Sequence, residues 1–127
     1  MIEEAYVSFE TAKLLKEKGF NEKVSRWYVA NSPQEGIVTI GFGDKQLYIN
    51  APTQQIAMKW LREVHNLFIE PRAGETDGKT WYDFDIIPIN ERKIAWNHYN
   101  NLPFVECDSY EEACEAAIKY CLENLIE

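Results

Sequence analysis

Asp83 and Asp85 stand two residues apart in the run Trp81-Tyr82-Asp83-Phe84-Asp85-Ile86-Ile87. In a strand, that spacing puts both carboxylates on one face, about 6–7 Å apart. Carboxylates so placed can hold a divalent ion or divide acid and base work between them. They are the candidate metal residues, and Glu75 and Asp77 from the adjacent turn could add oxygens. No histidine stands at ligand spacing from them. The plainer reading, and the preferred one, is the solvent side of an antiparallel strand. Trp81 and Ile87 share that face, and if no helix covers them they form an apolar patch suited to a partner.

Cys107, Cys114 and Cys121 recur every seven residues, which invites a metal or redox reading. The last two fall on one helix, where a rise of 1.5 Å per residue separates them by about 10 Å. That is too far for a disulfide or a shared zinc ion. Their apolar positions predict buried, unreactive thiols. Gly41-Phe42-Gly43 opens like a dinucleotide-binding fingerprint, but Gln46 holds the third glycine position and a strand follows. It reads as a strand-to-turn transition. Of the two histidines, His65 lies at a helix end, where the dipole favours its charged form. Neither has a nearby nucleophile motif, and the sequence contains no GxSxG, Walker A or HExxH pattern. No catalytic residue and no cofactor are assigned.

One further stretch suits recognition. Ala95-Trp96-Asn97-His98-Tyr99-Asn100-Asn101 interleaves rings with amides, and rigid rings give contact area while amides give adaptable hydrogen bonds. The alternative is a loop pinned to the domain by Trp96 and Tyr99. Trp81, Trp96, His98 and Tyr99 are the partner-binding candidates.

These residues need elements to hold them. Ser8 is a good N-cap, Val7 and Ala12 stand as a hydrophobic staple, and Gly19 ends the first helix as a left-handed residue. Residues 24–30, 37–42 and 46–50 predict three strands in meander order. Thr53 caps a second helix in which Ala57, Trp60, Leu61 and Val64 recur at helical spacing, with His65 and Asn66 at its end. Residues 67–72 and 80–89 pair as a hairpin across a loop over 73–79. Residues 90–104 read as a loop, with a short strand near 94–96. Ser109-Tyr110-Glu111-Glu112 is a capping box before the last helix, whose apolar stripe is Tyr110, Ala113, Cys114, Ala117, Ile118, Cys121, Leu122 and Leu125. The order α-β-β-β-α-β-β-α predicts one α+β domain over residues 1–127, an antiparallel sheet packed with three helices.

The chain has 127 residues, 46% of them apolar and 27% charged, which suits a single folded core without staples. Its net charge is −8, and residues 102–127 hold seven acids against Lys119 alone. Such a surface repels phosphate backbones, so direct nucleic-acid binding is not expected. The same charge could meet a basic partner or mimic nucleic acid. Apolar runs are too short to span a membrane, the N-terminus is acidic, and three cysteines cannot all pair. These features predict a cytoplasmic location.

Three blocks carry a resemblance: SFETAKLLKEKGF (8–20), APTQQIAMKWLRE (51–63) and SYEEACEAAIKYCLENLI (109–126). Together they resemble a set of small uncharacterised proteins of gut-bacterial genomes and prophages. More distantly the layout is similar to the phage ABA sandwich domain, in which a sheet lies between helical layers. The resemblance implies a phage or mobile-element origin and an α-β-α layering, and it brings no activity. The expected function is a non-enzymatic accessory protein that binds another protein. The alternatives are a metal-dependent enzyme or binder using Asp83 and Asp85, and an acidic nucleic-acid mimic.

Overall fold

The computed structural model describes residues 2–29, 37–38, 48–90, 93–94 and 106–126. Along the chain run α1 (Phe9–Glu17), β1 (Trp27–Val29), β2 (Ile37–Val38), β3 (Tyr48–Asn50), α2 (Gln54–His65), β4 (Leu67–Thr76), β5 (Lys79–Asn90), β6 (Lys93–Ile94) and α3 (Tyr110–Tyr120). The fold is mixed α+β.

The helix ends follow from capping chemistry. Ser8 Oγ accepts from the Thr11 N–H at 3.2 Å and opens α1. At its far end Phe20 N–H reaches Leu15 O (2.9 Å) and Gly19 N–H reaches Lys16 O (3.2 Å). With Gly19 at φ +96°, this pair of bonds is a Schellman closure. Thr53 Oγ1 accepts from Ile56 N–H at 3.2 Å to open α2, and Asn66, left-handed at φ 57°, ends it. For α3, Ser109 Oγ accepts from Glu112 N–H at 3.1 Å. The return bond of the box goes one residue earlier than the motif predicts, from Asp108 N–H to Glu112 Oε2 at 2.9 Å. A single π-helical turn, Cys121–Leu125, continues α3.

The strands divide between two antiparallel sheets, where one had been expected. The first has the order β2-β1-β3, so the meander reading, with β2 in the middle, is corrected. β1 is central because it pairs with β2 on one side and β3 on the other, with Tyr28 and Ile49, opposite each other, both buried. The Tyr28 hydroxyl also donates to Val7 O at 2.6 Å, and Ala51 N–H bonds Arg26 O at 2.9 Å. These bonds tie β1 to the N-terminal segment and to the exit of β3. That exit passes through Pro52 straight into α2, which separates the first sheet from the second.

The second sheet has the order β4-β5-β6. The loop expected over 73–79 contracts to two residues, Asp77 and Gly78, with φ of 52° and 79°. Positive φ at both positions is what a type I′ turn requires, and its right-handed twist lets the strands pair up to the turn itself. Thr76 therefore faces Lys79, and the ladder runs without a break to Leu67 opposite Pro88. Two prolines sit inside it. Tyr82 exchanges both backbone bonds with Cys107 (3.0 and 2.8 Å), on the side away from β4. By alternation, the backbone nitrogens of Pro71 and Pro88 also turn away from the β4–β5 seam. Neither proline costs that ladder a bond.

The two faces of this hairpin differ. Leu67, Ile69, Phe84 and Ile86 form one face and join the apolar cluster with Ala57, Trp60 and Leu61 of α2 and Ala117 and Ile118 of α3. α2 packs on β4, and α3 on both strands. The other face carries Asp83, Asp85 and Trp81.

Candidate functional site

Counting back from the Asp77-Gly78 turn places Gly74 beside Trp81, Arg72 beside Asp83, Glu70 beside Asp85 and Phe68 beside Ile87. All eight share the face turned from α2 and α3. Arg72 Nε donates to Asp83 Oδ1 at 2.8 Å and Nη2 to Oδ2 at 3.1 Å, a two-pronged pairing of planar groups. Its Nη1 lies 4.0 Å from Asp85 Oδ2. Asp85 Oδ1 accepts from the backbone N–H of Ile86 at 2.9 Å. The hydrogen bond to Asp83, followed by the charges of Asp83, Asp85 and Glu70, raises the proton affinity of Arg72 despite the desolvation that opposes it.

Burial corrects one expectation. Alternation predicts Asp83 and Asp85 on a solvent-facing side, yet each is only 8% exposed. A buried carboxylate needs a partner charge or several donors, because water no longer solvates it. Among the described residues the Arg72 guanidinium, itself about half exposed, faces both. Among the described residues, no group of three or more His, Cys, Asp or Glu is placed to hold a metal ion.

Trp81 lies nearer the Asp77-Gly78 turn. Its indole lies across Gly74, so closely that a Cβ there would collide with the ring. Trp81 Nε1–H donates to Thr76 Oγ1 at 3.0 Å and fixes the ring's orientation. Thr76, Lys79, Trp81 and Glu106 line an open groove of about 290 Å³. Residues 75–80 around it are exposed. Trp96, His98 and Tyr99, the other partner-binding candidates, lie outside the described residues.

The cysteines behave as the helical spacing implies. All three are free and buried. Burial raises the pKa of each, and that of Cys121 to about 12, which keeps the thiolate, the reactive form, scarce. His65 departs from its reading. The dipole at the end of α2 would favour a charged ring, but burial lowers its pKa.

Sequence reasoning passed over three residues. Arg72 and Gly74 follow by counting once Asp77-Gly78 is taken as the turn. Glu115 does not follow from any local pattern. Its carboxylate accepts from Ser8 N–H at 2.9 Å and from Ser8 Oγ at 3.4 Å, joining α3 to the start of α1 across the fold. Nearby, Lys119 Nζ meets Glu10 Oε2 at 3.1 Å. Glu112 and Glu115 of the acidic C-terminal stretch thus serve backbone donors within the chain. No helix among the described residues is long and apolar enough to cross a membrane. Comparison of the chain with protein-family models, with curated proteins and with solved structures finds no match.

Proposed function

We propose that the chain is a phage- or prophage-type accessory protein that catalyses no reaction and acts by binding another protein through the outer part of the β4–β5 hairpin. The layering of a sheet between helices belongs to the same proposal, as does a cytoplasmic setting. The observation that carries the reading is the half-buried Trp81 indole, seated on Gly74 and hydrogen-bonded to Thr76 beside the exposed turn of the hairpin. A ring fixed before binding loses little freedom when a partner covers it, and tryptophan is among the commonest anchors of protein interfaces. The open groove beside it offers Lys79 and Glu106 as a polar rim.

The test uses the full chain as bait in a gut-bacterial lysate, in three forms: unaltered, Trp81→Ala and Gly74→Val. The valine leaves the indole in the protein but denies it its seat. A specific partner should be retained by the unaltered chain and depleted roughly tenfold or more on both variants, a loss of about 1.4 kcal/mol. Equal retention of every captured protein by all three baits would remove the hairpin from the interaction.

A further inference from the structure

At the end of α2 three rings meet in series. Phe20, just past the Gly19 closure of α1, stands edge-on to Trp60, with centroids 5.4 Å apart and planes at 78°. Trp60 in turn meets His65 at 4.6 Å and 73°. The seam thus joins the C-terminal ends of α1 and α2. The next residue, Asn66, leads directly into β4, and its carbonyl accepts from Ile89 N–H at 2.7 Å. His65 therefore sits where two helices and the root of the hairpin converge.

The imidazole has an unusual place there. Its Nε2 is fully buried and has no hydrogen-bond partner. Buried polar atoms are nearly always paired, so an orphan of this kind calls for a physical account. An edge-on imidazole against an indole is consistent with a weak N–H contact to the ring, which a neutral histidine can make. A charged imidazole would carry its charge beside a buried Nε2 that no oxygen or nitrogen acceptor among the described residues meets. The charged side chains on the elements packed there are Lys16 and Lys18 of the α1 end, Arg62 and Glu63 of α2 and Glu70 of β4; burial is the cause of the lowered pKa of His65.

We propose that His65 is a pH-dependent latch at the root of the hairpin. When neutral, it stays seated against Trp60 and holds the three-ring seam closed; when protonated, it leaves the seam and loosens the junction of α2 with β4 and β5. The sign follows from linkage. The folded state binds the proton less well than the unfolded chain, whose histidine titrates near the ordinary value of 6.5. The contribution of the seated ring is complete above that value and is lost as pH falls below it, through the lowered folded value.

The experiment is an NMR titration of the full chain from pH 8 to 4.5, with the His65 signal assigned by its loss in His65→Phe. Three signals are followed: the His65 ring, the Trp60 indole N–H and hydrogen exchange at the Ile89 amide. The His65 midpoint should fall below 6.5. The Trp60 signal should move with it, and Ile89 exchange should accelerate about tenfold beyond the intrinsic pH effect as the junction opens. In His65→Phe both responses should be flat. His65→Gln, which carries no titrating group and no large ring, serves the same comparison if the phenyl ring is not accommodated. A His65 midpoint at or above 6.5 with Trp60 unmoved overturns the proposal. So does the same transition persisting in a folded, non-titrating variant.

Discussion

The two faces of the β4–β5 hairpin are both screened from water at their centres, yet they are built from opposite materials. On one, Ile69, Phe84 and Ile86 meet α2 and α3 as an apolar layer. On the other, Asp83 and Asp85 are as buried as Phe84, and an arginine from the neighbouring strand holds them. The apolar face gains from each area it hides, with little dependence on direction. The charged face gains only where donors and acceptors line up, and it suffers when a single member is lost. One strand with strict alternation thus supports a tolerant face and an exacting one.

Substitutions can break or sharpen that contrast. The largest effect is expected at Ile86, which is fully buried. Ile86→Ala should cost about 2–5 kcal/mol in urea unfolding, through lost transfer energy and the cavity left behind. A cost near zero would mean that the hairpin does not share the helices' core. On the opposite face, Arg72→Ala removes the two-pronged partner of the buried Asp83 carboxylate. Breaking a fully buried pair costs about 3–5 kcal/mol, but Arg72 is 47% exposed and partly screened, so about 1–3 kcal/mol is expected. Here the faces should diverge. The double change Arg72→Met, Asp83→Leu should recover part of the loss, because removing both charges leaves less to neutralise. If the double variant is less stable than Arg72→Ala, the pairing is not what holds that face. The smallest effect falls at the turn that both faces share. Gly78 sits at φ +79° with open space around it, so Gly78→Ala should cost about 1 kcal/mol through backbone conformation alone. An equal or higher urea midpoint would contradict the turn geometry.

How far the sequence carries depends on the range of the interaction. Helix ends were legible because capping is local: Ser8, Thr53 and Ser109 each bond a backbone N–H three residues on. Gly19 and Asn66 announced their left-handed stops for the same reason. The face shared by Asp83 and Asp85 was legible from alternation, whereas its burial was not. Alternation says which side a residue takes and nothing about what lies on that side. The place of β1 beside β3 depends on contacts of Tyr28 with Val7 and Ile49, each 21 positions away, which no short window along the chain records. The hairpin loop was a different kind of miss. Asp77-Gly78 carried the signal for a two-residue turn, and the exposed, polar residues on either side masked it. Reading that turn would have placed Arg72 against Asp83 without any structure.

Pro71 and Pro88 have a consequence beyond being harmless where they stand. If β4 slipped by one residue along β5, one proline nitrogen or the other would face the seam at a point where the ladder needs a donor. The same slip would swap the two sides of the slipped strand and carry Arg72 or its partner carboxylates toward the greasy interior. The pair of imino acids therefore acts as a ratchet pawl for strand alignment, rejecting misaligned forms of the hairpin before side-chain packing is complete.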